Sequence, residues 1–324
     1  MKRIIILLMC MQAIAACSQN KKAVMETKPE STVKKLRNYD KPSQYSVFIT
    51  SNNCSWQLLI NDAPIYSYNA GGGVRSVIFD LNSDILKSGK QKLKVVLYPA
   101  RKLDNSGYFE VLRPNTYMQF KLIHDKSDDG DYKTILEYDG ELEEVNGMQL
   151  FSKPGLPTYT IEREFEAKVP YEVKGWSESQ QLDTMDREKL EKEVVAYFQQ
   201  LWELFDEKKK DEIVALTETK VNERNFALQR LESEKKEEIK LLFSSMDNPT
   251  FVMRPLEPDM YKMVFYGDGK MVGLQCTSQL YRGKPALYGI YIREQTDGRK
   301  RKRKTHYPML LHKPKGSDKL EIIR

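Results

Sequence analysis

The chain has 324 residues, 40% of them hydrophobic and 30% charged, with a formal net charge of +6. That apolar share suffices for packed cores, and the charged share demands an extensively solvated surface. The charge excess is too mild to argue for nucleic acid as a partner, and it shrinks further if Lys2 and Arg3 leave with a signal segment.

The first stretch decides where everything after it lives. Met1-Lys2-Arg3 supplies a short basic start, 4–11 is an unbroken apolar run, and Ile14-Ala15-Ala16 leads small residues into Cys17. This is the pattern of a secretory signal. The run is far shorter than the roughly 20 residues a membrane-crossing helix needs, and polar Gln12 follows it. Ile14-Ala15-Ala16-Cys17 resembles the lipobox of bacterial lipoproteins. The resemblance implies that 1–16 is cleaved as a signal peptide and that Cys17 becomes a diacylated mature N-terminus, usually acylated again on its amine, as by palmitate. Each buried methylene contributes about 0.8 kcal/mol, so two or three chains hold the protein on a membrane. In that family an Asp after the cysteine retains the product at the inner membrane. Ser18 stands there instead, which implies the outer membrane, and the non-acidic Gln19-Asn20-Lys21-Lys22 favours its periplasmic face.

After such cleavage only Cys54 and Cys276 remain to pair with each other. An oxidising compartment permits a bridge if their Cα atoms lie within about 7 Å. The alternative is two small buried apolar residues.

Residues 17–44 read as a lipidated, flexible tether, polar and with almost no apolar periodicity, whose r.m.s. reach is near 30 Å. From 45 to 174 the signals change to short strands at 45–50, 56–61, 74–81, 92–98, 117–124, 132–138 and 158–169, β-branched or aromatic runs separated by turn residues. Lys92-Leu93-Lys94-Val95 alternates as a strand with one wet face should. About seven strands without a helix predict an antiparallel β-sandwich. Asp125, Ser127, Asp129 and Asp131 look like the start of a calcium loop, but position 12 is Leu136 rather than a bidentate Glu, so a polar hairpin turn is favoured. Gly71-Gly72-Gly73 has no following Lys-Ser/Thr to cradle phosphate and reads as a loop.

The composition turns polar at 175–181, where a protease-sensitive junction is expected. Leu190, Val194, Tyr197, Phe198, Leu201, Leu204 and Phe205 then recur at helical spacing, with Asp183 or Thr184 available to cap the start. Lys208-Lys209-Lys210-Asp211 interrupts the pattern, a short helix follows at 212–216, and 222–244 reads as a longer, highly charged helix. Strands return at 250–253, 261–266, 270–279, 286–295 and 305–311, with a closing strand at 320–323. Gly267-Asp268-Gly269 and Asp297-Gly298 are hairpin signals. The order of Leu201-Trp202-Glu203-Leu204-Phe205-Asp206, a Lys-rich link, further helices and consecutive hairpins resembles the NTF2-like (cystatin-like cone) superfamily over 183–324. The resemblance implies a C-terminal α+β domain of three helices and a curved antiparallel sheet, a fold that hosts both enzymes and binding modules.

Chemistry is sparsely signalled. His124, His306 and His312 are the only histidines; the last two are an even number apart on an expected strand, but no third metal ligand is suggested. There is no H-E-x-x-H, no G-x-S-x-G and no cofactor fingerprint. Glu257 and Asp259 could serve as bases only if buried, and Pro255 and Pro258 place them in a loop. The sharpest signal is Arg299, Lys300, Arg301, Lys302, Arg303 and Lys304, six consecutive cations suited to an acidic or phosphate-rich partner. The competing reading is a solvated edge strand whose cations block sheet-to-sheet aggregation. Aromatic interleaving is missing, which argues against nucleic acid. Absence of a triad, metal set or cofactor motif favours binding over catalysis. The expectation is an outer-membrane-anchored periplasmic lipoprotein that binds another macromolecule, as an envelope-assembly accessory or an immunity-type neutraliser of a toxin. The alternatives are an envelope hydrolase with a C-terminal pocket, or a carbohydrate-binding protein using exposed Trp56, Tyr66 and Tyr68.

Overall fold

The structure, a computed structural model, describes residues 33–34, 44–69, 73–104, 106–125 and 132–324. The expected signal peptide and nearly all of the expected tether lie outside the described residues.

The first half is built of strands: β1 (Val33–Lys34), β2 (Gln44–Asn52), β3 (Cys54–Ile60), β4 (Ala63–Tyr68), β5 (Arg75–Asp80), β6 (Gly89–Pro99), β7 (Tyr117–Asp125), β8 (Tyr132–Tyr138), β9 (Leu142–Val145), β10 (Met148–Phe151), β11 (Tyr159–Ala167) and β12 (Glu172–Val173). Two four-stranded antiparallel sheets form, ordered β5-β2-β7-β8 and β11-β6-β3-β4. Side chains alternate across a strand, so Leu93, Val95 and Leu97 of β6 point inward while Lys92 and Lys94 do not. Val47 and Ile49 of β2, Phe120 and Leu122 of β7, and Leu58 and Ile60 of β3 meet those residues in one core.

Two hairpins complete what the strand pattern alone omits. Asn61 and Asp62 both take left-handed φ values of 49° and 60°, the two-residue turn that matches strand twist, and so β3 folds straight back into β4. Asn146 and Gly147, at 51° and 76°, do the same between β9 and β10. Ala63, Pro64 and the paired Glu143-Glu144 are poor strand formers, which hides these elements from a propensity reading.

Three helices follow: α1 (Arg187–Asp206), α2 (Lys210–Ala227) and α3 (Glu232–Phe243). The cap of α1 is Asp186, whose carboxylate accepts the Lys189 N–H at 2.9 Å; Asp183 and Thr184, the expected caps, sit in a 3-10 turn just before it. Leu190, Val194, Phe198, Leu201 and Phe205 form the buried stripe of α1. The expected short helix at 212–216 runs on to Ala227, and the expected long helix at 222–244 is divided. Gln229 adopts a left-handed φ of 53°, and the Glu234 carboxylate accepts the Leu231 N–H at 2.6 Å to start α3 afresh.

The remaining strands are β13 (Val252–Met253), β14 (Tyr261–Tyr266), β15 (Met271–Cys276), β16 (Tyr288–Glu294), β17 (Lys300–His306), β18 (Leu311–His312) and β19 (Glu321–Ile322). They hydrogen-bond as two antiparallel sheets, β13-β16-β17 and β14-β15-β18-β19, rather than one. The segment leading into β16 ties them together: the Cys276 N–H donates to the Lys284 carbonyl and the Ala286 N–H to the Leu274 carbonyl, both at 2.9 Å. The stripe of α1 packs on Met253, Met263, Val272, Leu274, Leu287 and Leu311 of these strands and their connections. The whole is a mixed α+β protein of three helices and several antiparallel sheets.

The polar stretch 175–181 is built into the body of the molecule. Trp176 is buried with Leu59, Ala63, Tyr266, Met271, Leu310 and Ile323 in a third apolar cluster. The Gly175 N–H donates to Glu223 at 3.0 Å, and the Gln180 N–H to the Lys313 carbonyl at 2.9 Å. Polar composition here reflects backbone groups that pair with other elements, so it does not mark a free linker. A second tie lies at Gly283, whose φ of 71° and lack of a Cβ let it sit against Gln57 and Ser67. Ser67 Oγ donates to the Gly283 carbonyl at 3.1 Å, Asn69 Nδ2 to the Arg282 carbonyl at 2.7 Å, and the Arg282 guanidinium lies 4.3 Å from the Tyr98 ring centre.

Candidate functional site

Cys17, the expected lipidation site, lies outside the described residues, as do Ser127, Asp129 and Asp131 of the acidic loop and Gly71 and Gly72. Asp125 is described as the last residue of β7.

The basic run forms a strand of its own, β17, at the edge of its sheet, so it does not merely flank a turn. Its register with β16 sets Lys300 opposite Glu294, Arg301 opposite Arg293, Lys302 opposite Ile292 and Arg303 opposite Tyr291. Successive side chains on a strand alternate between faces, so Arg301 and Arg303 lie on one side of the ribbon and Lys300, Lys302 and Lys304 on the other. All six cations are exposed, but they are not equivalent. Arg299 is folded onto Asp297, Nε to Oδ2 2.7 Å. Lys304 lies against aromatic rings, its Nζ 3.8 Å from the Tyr281 centroid and 5.3 Å from that of Tyr288. Among the described residues no carboxylate comes within ion-pair reach of Lys300, Arg301, Lys302 or Arg303. Four cations therefore face solvent from both sides of the β16–β17 ribbon.

The aromatic set expected to stack on sugar is not a surface. Trp56 is fully buried in the first core, and its Nε1 donates to Ser51 Oγ at 2.9 Å. Tyr66 and Tyr68 lean on it with ring centroids 5.7 and 5.6 Å away. Both rings are half-buried, and each has a cation beside it: Lys284 Nζ lies 4.5 Å from the Tyr66 centroid, and the Arg75 guanidinium 5.7 Å from that of Tyr68.

His306 and His312 each hydrogen-bond within the chain. His306 ends β17 and its Nδ1 meets the Pro285 carbonyl at 2.8 Å, whereas His312 belongs to β18 in the other sheet and its Nδ1 meets Ser179 Oγ at 2.6 Å. The two do not share a strand, because 307–310 leaves the ladder around Pro308. Burial lowers the pKa of His306, with Lys284 and Lys304 adding to the shift. Burial, with Arg324 and Lys174 nearby, lowers that of His312 to about 4. Among the described residues no group of three His, Cys, Asp or Glu side chains is placed to hold a metal ion. Cys54 and Cys276 are free, buried thiols, pushed up by burial to about 12 and about 11. Glu257 and Asp259 are exposed; Glu257 borders a cavity of about 120 Å³ beside Tyr281, Tyr288 and Lys304.

A larger cavity, about 370 Å³, lies where α2 faces β4, β5 and β15. Lys220, Arg224, Arg230 and Arg324 line it together with Ile65, Ile78, Phe79 and Leu274. Lys220 donates to the Pro308 carbonyl. Burial pulls its pKa down to about 7, and Arg224 and Arg324 add repulsion. Arg230 pairs with Glu238 at 2.7 Å, and Arg224 Nε lies 3.5 Å from the same carboxylate. Arg324 Nη1 pairs with Glu223 at 2.9 Å, and its Nε lies 3.4 Å from Asp84. Sequence reasoning misses this cluster, because Glu223 and Arg224 fall in an expected helix whose many charges read as a solvated face, and Lys220 falls between two expected helices, where α2 runs continuously. The spacing of Lys220 and Arg224 by four is visible in the chain, but nothing local marks Glu223 as fully buried.

Compared with protein-family models, with curated proteins and with solved structures, the chain matches none.

Proposed function

We propose that this chain is a lipid-anchored protein of the bacterial outer membrane, facing the periplasm, that binds an acidic macromolecule without catalysing a reaction. The observation that carries the reading is the set of Lys300, Arg301, Lys302 and Arg303, exposed on both faces of the β16–β17 ribbon with no carboxylate partner among the described residues. Charged side chains on an edge strand can serve to block aggregation, and this ribbon carries four in succession. The Cys17 lipobox resemblance supports the anchor. We read 45–174 as a β-sandwich, supported by the core shared between its two four-stranded sheets, and 183–324 as an NTF2-like α+β domain, supported by three helices preceding antiparallel strands. The partner class is another envelope protein or an incoming toxin with an acidic face. The test is crosslinking in intact cells, comparing the wild type with a variant in which Lys300, Arg301, Lys302 and Arg303 are all Gln. An acidic protein recovered with the wild type and lost with the variant supports the reading. Equal recovery overturns it.

A further inference from the structure

The cavity between α2 and the sheets has the attributes of a ligand site that the ribbon does not use. Its volume of about 370 Å³ falls in the range of small-molecule pockets, and its lining combines apolar side chains with four cations and the carboxylates of Asp80 and Asp84. Arg324 Nη2 is buried without a hydrogen-bond acceptor among the described residues, and Arg324 as a whole is only 8% exposed, whereas Arg224 Nε and Arg324 Nε lie 3.5 and 3.4 Å from the Glu238 and Asp84 carboxylates. A buried donor left unpaired is costly, so Arg324 Nη2 leaves a place for an added acceptor.

The ion pairs around the cavity show which cation is left for such an acceptor. Asp80 already accepts from Gln44 and Ser46, and Asp84 accepts from Ser83 and faces Arg324. Glu223 serves Arg324, and Glu238 serves Arg230 and Arg224. Lys220 is the cation of the set with no carboxylate in ion-pair reach among the described residues. The four cations match the four carboxylates Asp80, Asp84, Glu223 and Glu238 in number, and Lys220 is the one that none of them reaches. We propose that the cavity binds a single-headed anionic amphiphile, with a carboxylate or phosphate-monoester head on Lys220 and Arg324 and an apolar tail along Ile65, Ile78 and Leu274. The head completes the hydrogen bonding of the cations, and the tail displaces water from the apolar side chains.

The test is calorimetric titration of the full chain with decanoate, decyl phosphate and uncharged decanol. One decanoate or decyl phosphate per chain is expected to bind at least tenfold tighter than decanol, and the tighter anion assigns the head. Lys220→Met should weaken anion binding about tenfold and leave decanol unchanged, as expected for loss of a charge-assisted hydrogen bond. Backbone amide signals of Ile65 and Leu274 should shift on titrating the wild type, which keeps the test decisive if the variant folds poorly. Equal binding of decanol and the anions, no binding at millimolar concentration, or shifts confined to other regions would overturn the proposal.

Discussion

Glu223 and Arg324 form an ion pair with side chains 0% and 7% exposed, Oε2 to Nη1 2.9 Å. The other Glu223 oxygen accepts the Gly175 N–H, so one carboxylate joins α2 to two distant stretches of chain. Removing one partner of a buried pair strands the other charge, at a cost of about 3–5 kcal/mol. Glu223→Ala should therefore lose about that much stability in urea denaturation. Combining it with Arg324→Met should cost less than the sum of the two single changes. A loss under about 1 kcal/mol would contradict the role given to this pair.

The stretch 175–181 should resist proteolysis in the folded protein. Its Trp176 is buried and its backbone is paired, so cleavage requires opening of the surrounding structure. In Glu223→Ala the same stretch should be cut sooner. Rapid wild-type cleavage there would show that it behaves as a linker.

Lys220 makes stability depend on pH in a defined direction. Its folded pKa of about 7 lies below the ordinary 10.5, and Arg224, Arg324, Asp84 and Glu238 are the charged groups acting on it. Below about pH 7 both states are protonated and the full burial penalty applies. Between about 7 and 10.5 the unfolded chain holds more protons, so this contribution to stability rises with pH. Lys220→Met should accordingly stabilise the protein at about pH 6, with a gain that shrinks towards about pH 10. A gain that grows with pH would reverse the sign.

Acylation requires the Cys17 thiol. Cys17→Ser should abolish labelling by a radioactive or clickable palmitate and shift the protein from the membrane to the soluble fraction. Unchanged labelling and retention would remove the anchor from the proposal.

Replacing Lys300, Arg301, Lys302 and Arg303 with Gln should change stability by no more than about 0.5 kcal/mol, since these side chains are exposed and have no ion-pair partner among the described residues. Wild-type binding to poly-L-glutamate should weaken steeply as salt shortens the Debye length from about 10 Å at 0.1 M to about 3 Å at 1 M. The variant should lose most of that dependence. Identical salt curves would leave the cations as a solubility device.

Where the chain pattern is periodic, the fold is legible. The apolar residues of α1 and the alternating residues of β6 are buried as their spacing requires, because period alone decides which face meets a core. Trp56 shows the limit: its sequence neighbourhood does not tell a binding aromatic from a core one, and the opposing sheet decides. The break between α2 and α3 is set by the conformation of Gln229, a residue without a strong turn preference. The cavity escapes for a further reason: its cations and its apolar wall come from segments far apart in sequence.

Gly283 and the Arg324–Asp84 contact fasten the early half of the chain to the later elements at separate places. A body held at one point can swing about it; held at two, it can turn only by breaking one of them. A partner that touched both the early sheets and the β16–β17 ribbon would therefore meet a fixed spacing between them.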